Sequence, residues 1–116
     1  MIAVIFEAIP VEGHWDEYVD IAAALRPELD KIEGFISIER FQSLADSGKV
    51  LSLSFWKDEE AVRQWRNLEQ HRAAQKAGRE SVFADYRLRI AEVSRDYGMN
   101  DRAHAPADSK EIHERH

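Results

Sequence analysis

At 116 residues, 44% hydrophobic and 33% charged, the chain suits one compact domain and is too short for two independent cores. The absence of cysteine excludes disulfides, thiolate metal sites, iron–sulfur clusters and cysteine nucleophiles. A formal net charge of −6 argues against nonspecific binding to nucleic acid or to an anionic membrane, and no apolar run is long enough to span a bilayer.

The N-terminal MIAVIFEAIP has neither a basic leader nor a small-residue cleavage site, so a cytoplasmic location is expected and the run reads as a strand. Ile2, Val4 and Phe6 lie on one face and Ala3 and Ile5 on the other, so both faces need cover. From Trp15 to Ile32, the residues Tyr18, Ile21, Ala22, Leu25 and Leu29 fall at helical spacing opposite Asp16, Glu17, Glu28 and Asp30, which predicts an amphipathic helix despite Pro27. The runs Phe35 to Phe41 and Val50 to Trp56 flank the turn-forming Ala45-Asp46-Ser47-Gly48 and predict an antiparallel hairpin. Asp58 precedes Glu59 and Glu60, a helix start that runs toward Gly78, and Tyr86 to Val93 alternates as a fourth strand. The tail, residues 98–116, shifts in composition; Asp108 and Glu111 stand at capping-box spacing and predict a short terminal helix.

The order βαββαβ has a known packed solution, the ferredoxin-like α+β fold: a four-stranded antiparallel sheet over residues 1–97 with two helices on one face. Such a sheet leaves its other face bare. Because that face is also apolar, a homodimer with the two sheets facing each other is expected.

The segment from Ser54 to Tyr97, SFWKDEEAVRQWRNLEQHRAAQKAGRESVFADYRLRIAEVSRDY, resembles the antibiotic biosynthesis monooxygenase (ABM) domain family, most specifically in Phe55-Trp56, the acidic helix start and Trp65. By element order the similarity covers roughly residues 1 to 97. The resemblance implies a dimeric α+β barrel. It also implies one of several activities, since the family includes cofactor-independent oxygenases of aromatic polyketides or quinols, heme-degrading enzymes and chains without assigned activity. Heme-degrading members use an Asn near the end of the first strand, a Trp in the second helix and a ligating His nine or ten residues later. Here those positions offer Glu7, Trp65 and, only six residues on, His71. Heme is therefore the less favoured cofactor, and none is expected.

The candidate site residues follow from these readings. Trp65 shares a helical face with Ala61 and Leu68, and is read both as core and as the wall of a small-molecule pocket. His71 is the candidate general base, and with Trp65 forms the expected catalytic pair. Arg72 would share the face of Trp65 if the helix were continuous, so a restart near Asn67-Leu68-Glu69 is expected, able to swing His71 toward the pocket. Asn67, Arg72, Tyr86, Trp56 and Glu7 are candidate substrate-binding groups. Trp56, opposite Leu51, Leu53 and Phe55, reads foremost as interface or barrel packing, and Glu7 as a wet strand-end carboxylate whose pKa would rise if buried. The histidines show no HxH or HExxH spacing, so no metal is expected. The expected function is oxidation of a small phenolic, quinol or polyketide-like aromatic. A carrier that binds a small molecule without turnover, and a heme protein, are the alternatives.

Overall fold

A computed structural model describes residues 1–75 and 82–109, without the side chains of residues 69–75. The elements are β1 (Ile2–Pro10), α1 (Trp15–Asp30), β2 (Phe35–Gln42), β3 (Val50–Trp56), α2 (Glu59–Gln75) and β4 (Phe83–Glu92), in the expected order βαββαβ. They form one four-stranded sheet of order β2-β3-β1-β4 with every neighbouring pair antiparallel, which is the ferredoxin-like arrangement. β1 and β4 are longer than the alternation suggests, because Pro10 still pairs at the end of β1, opposite Phe83 and past an irregularity in the ladder. No helix among the described residues is long and apolar enough to cross a membrane.

Local chemistry fixes the connections. In the β2–β3 hairpin, Ser43 Oγ accepts hydrogen bonds from the amides of Ala45 and Asp46, Asp46 Oδ1 accepts one from Gly48, and the Lys49 amide donates to the Asp46 carbonyl. Asp58 caps α2, accepting a hydrogen bond from the Ala61 amide at 3.0 Å, and Glu59 and Glu60 occupy the first turn, where the helix dipole favours negative charge. Gly34, between α1 and β2, has φ +95° and comes so close to α2 that a β-carbon there would lie 2.9 Å from that of Ala61.

Strand register sorts the sheet into two faces. Ile2, Val4, Phe6 and Ala8 of β1 lie beside Trp56, Ser54, Ser52 and Val50 of β3 on the helix side, with Tyr86, Leu88 and Ile90 of β4 on the same side. Ala3, Ile5 and Glu7 lie on the far side with Phe55, Leu53 and Leu51. β2 carries an irregularity between Phe35 and Ser37, so Phe35 pairs with Trp56 while Ile38 and Arg40, further along, pair with Ser54 and Ser52.

The helix-side core falls into two clusters. One joins Ile2, Val4, Leu29, Trp56, Ala61 and Val62, with Phe35, Ile38 and Trp65 packed against it. The other joins Ala8, Tyr18 and Val50, with Phe6, Trp15, Val82 and Phe83. In the tail, Arg102 lies over the Tyr97 ring at 5.2 Å and donates to the carbonyls of Gly98 and Ser109. Residues 107–109 are helical, and the Glu111 half of the proposed capping box lies outside the described residues.

Candidate functional site

A cavity of about 580 Å³ lies between the sheet and the helices, lined by residues of both core clusters, a size suited to a small organic ligand. Its floor is the helix side of the sheet: Val4 and Phe6 of β1, Ser52, Ser54 and Trp56 of β3, Ile38 and Arg40 of β2, and Tyr86 and Leu88 of β4. α1 contributes Tyr18, Ile21, Ala22, Leu25 and Leu29, and α2 contributes Trp65 and Arg66. Ile21 and Leu25 stay half-buried on an otherwise core-facing stripe because they face this cavity rather than the sheet.

Aromatic rings dominate the walls. Trp56 and Trp65 stand 6.3 Å apart between centroids, and Phe35 packs edge-on to Trp56 at 5.2 Å. At the other end Phe6 contacts Phe83 at 5.5 Å and Tyr86 at 5.6 Å. Tyr86, Leu88 and Ile90 keep 62%, 52% and 47% of their surface exposed although they are on the helix side, which makes β4 the open flank of the site. The Trp56 indole N–H donates to Ser54 Oγ at 2.9 Å, so the ring is held in one orientation.

Three expected site residues meet here: Trp65, Trp56 and Tyr86. Trp65 is both packed on the core and lining the cavity, and the two readings of it coincide. Trp56 corrects the expectation of interface packing. It is only 1% exposed, and alternation along β3 turns it with Ser52 and Ser54 toward the helices.

Two candidates are not brought in. Glu7 lies on the far face of the sheet, because it alternates with Phe6 and Ala8, and there it pairs with Lys49 at 3.4 Å and Arg89 at 3.3 Å. Its carboxyl is held below its ordinary value, first by the hydrogen bond to Lys49, which outweighs an opposing desolvation, and further by the charges of Lys49 and Arg89. Asn67 is exposed and absent from the lining, since it follows Trp65 by two residues, about 200° round the helix.

The expected restart near Asn67-Leu68-Glu69 is also overturned, for α2 runs unbroken from Glu59 to Gln75. The side chains of His71 and Arg72 lie outside the described residues. Arg40 and Arg66 are cavity residues that the pattern reading missed. The signal for Arg40 was its two-residue spacing from Ile38.

The family model described as antibiotic biosynthesis monooxygenase matches residues 1–77. A protein of Pyricularia oryzae named jasmonate monooxygenase ABM is 46% identical over 101 residues, 87% of this chain and 47% of that protein, so the chain spans about half the length of this curated relative. Among solved structures, a variant of SnoaB, a cofactor-independent oxygenase from Streptomyces nogalater, superposes with TM-score 0.65 at 11% identity, covering 82% of this chain and 94% of that one. The heme-degrader MhuD from Mycobacterium tuberculosis gives TM-score 0.64 at 20% identity, covering 84% and 100%. These two likenesses concern the fold. The family match, spanning β1 to α2 and so the Trp56 and Trp65 walls of the cavity though not β4, makes the chain a member of the antibiotic biosynthesis monooxygenase family.

Proposed function

We propose that the chain is a monooxygenase whose organic substrate, a small phenolic, quinol or polyketide-like aromatic, binds in the cavity between sheet and helices and itself reduces oxygen without a bound cofactor. The observation that carries the reading is the cavity itself, an aromatic-walled space left between two packed clusters in a chain of this family. The name of the Pyricularia oryzae relative supports oxygen chemistry in the same fold.

For a hydroquinone, one molecule of dioxygen converts the ring to its hydroxyquinone and releases one molecule of water. The ring gives up four electrons, one oxygen atom becomes a new C–O bond, and the other leaves as water with two of the substrate's hydrogens. Ionisation of the substrate hydroxyl starts it, because the anion is the better electron donor. The described lining has no Asp, Glu or His, so these residues hold the ring between Trp56, Trp65 and Phe6 and keep water from it. The expected base, His71, stands six residues beyond Trp65 on α2, and the unbroken helix removes the restart that would have swung it toward the cavity, so its role as base rests on the double-variant test below.

Glu7, the residue at the heme family's first-strand position, faces away from the cavity, and no described lining residue is a histidine. The heme reading therefore gains nothing from the geometry. The bare sheet face, with Ile5, Leu51, Leu53 and Phe55, is the surface on which a second copy would pack to close a barrel.

Oxygen uptake with a panel of dihydroxy-aromatics tests the oxygenase reading. At least one should drive uptake that a Trp65→Ala, His71→Ala double variant loses. Uptake retained in the double variant refutes the assignment. Ligand-induced melting shifts with no uptake for any compound would turn the reading to a carrier.

A further inference from the structure

The described lining of the cavity carries two guanidinium groups, Arg40 from β2 and Arg66 from α2, and no carboxylate, in a chain of formal net charge −6. Arg40 stands opposite Ser52 on the helix side of the sheet. No carboxylate among the described residues pairs with it, and its Nε is buried without a hydrogen-bond partner. Burying a charged donor unpaired is costly, and an apolar residue at the same place would avoid that cost. An unsatisfied donor beside an apolar space is met by an acceptor that the chain does not itself supply.

We propose that Arg40 binds a carboxylate at one end of an otherwise apolar, aromatic ligand, making the cavity selective for organic acids over neutral molecules of the same shape. A carboxylate suits Arg40 better than a phenol does, because it is already ionised at neutral pH and presents two oxygens to the guanidinium where a phenol presents one. The guanidinium can meet both carboxylate oxygens through its N–H fork, and Ser52, its register partner on β3, lines the same cavity with a further donor. The proposal rests on the reading of the cavity as the substrate site, and is independent of the oxygen chemistry.

The test uses N-phenyl-1-naphthylamine, a neutral dye that brightens in apolar sites, with 1-naphthylacetate and 1-naphthylacetamide as competitors near neutral pH. The acid should displace the dye with an inhibition constant at least about tenfold lower than the amide's. Arg40→Gln should bring the ratio close to one while the dye still binds. Arg63→Gln, at an exposed arginine paired with Glu60, should leave the ratio unchanged. If Arg40→Gln no longer holds the dye, Arg40→Lys, which keeps the charge and loses the fork, must lower the ratio. Equal displacement by acid and amide in the unaltered chain, a ratio that survives both Arg40 substitutions, or no displacement by either compound overturns the proposal. A preserved ratio in a protein that consumes no oxygen retires the oxygenase reading and leaves this one standing; a ratio of one in a protein that does consume oxygen does the reverse.

Discussion

Trp56 on β3 and Trp65 on α2 lie with ring centroids 6.3 Å apart and planes inclined by 30°, so sheet and helix share one aromatic wall of the cavity. The position of that wall depends on Ser54. Its buried Oγ accepts the only hydrogen bond found for the Trp56 indole among the described residues. Ser54→Ala removes the acceptor and leaves a buried N–H unpaired, which should destabilise the fold by about 1–3 kcal/mol. Urea denaturation should show this as a lower midpoint at unchanged slope, and a midpoint equal to that of the unaltered chain would mean the indole N–H has another partner.

Gly34 and Gly13 separate two costs that are usually mixed. Both have positive φ, +95° and +85°, but a β-carbon at Gly13 meets nothing within 4 Å whereas one at Gly34 meets Ala61 at 2.9 Å. Gly13→Ala should therefore cost about 1–2 kcal/mol from backbone conformation alone. Gly34→Ala should cost about 1–3 kcal/mol more, from the forced separation of the β2 entry and α2. Equal losses of stability for the two variants would show that α2 shifts freely away from Gly34.

These positions also show what the sequence could disclose. The six elements were legible because hydrophobic period distinguishes strand from helix, and the Ala45 to Gly48 turn and the Asp58 cap announced their own geometry. The face of Arg40 was harder to assign. The irregularity between Phe35 and Ser37 changes the alternation within β2, so Phe35 and Arg40 share the helix side although simple parity separates them. A pocket walled by Trp65 was expected, but its extent along α1 was hidden for a different reason. Periodicity says which residues point inward, but not that Ile21 and Leu25 meet empty space where Tyr18 and Leu29 meet packed neighbours. Glu7 was a binding candidate through the family's first-strand position, while its reading as a wet carboxylate agrees with the far face on which its alternation with Phe6 and Ala8 places it.

Acid should weaken the fold partly through Glu7. Its folded pKa lies below the reference 4.5, so its pairing with Lys49 and Arg89 contributes fully above that value and is lost as the pH falls through the folded pKa. Glu7→Gln should lower the melting temperature near neutrality, and the gap to the unaltered chain should narrow as pH drops below about 4.5. Added salt should shrink the gap at neutral pH, because the group is partly exposed. A gap that widens on acidification would reverse the sign of the shift.

The far face of the sheet provides the last test, because it can be altered without touching the cavity. Leu53 stands between Ile5 and Glu39 on that face, flanked along its own strand by Leu51 and Phe55. If two copies join there, sedimentation at micromolar concentration should give twice the chain mass. Leu53→Lys should give the single mass, since it would bury a cation against apolar surface at the centre of the contact. The dye affinity of the cavity separates loss of the interface from loss of the fold, for Leu53 points away from Ser52 and Ser54 and a folded monomer should still bind the dye. A single-chain mass for the unaltered protein at that concentration removes the dimer, and with it the closed barrel.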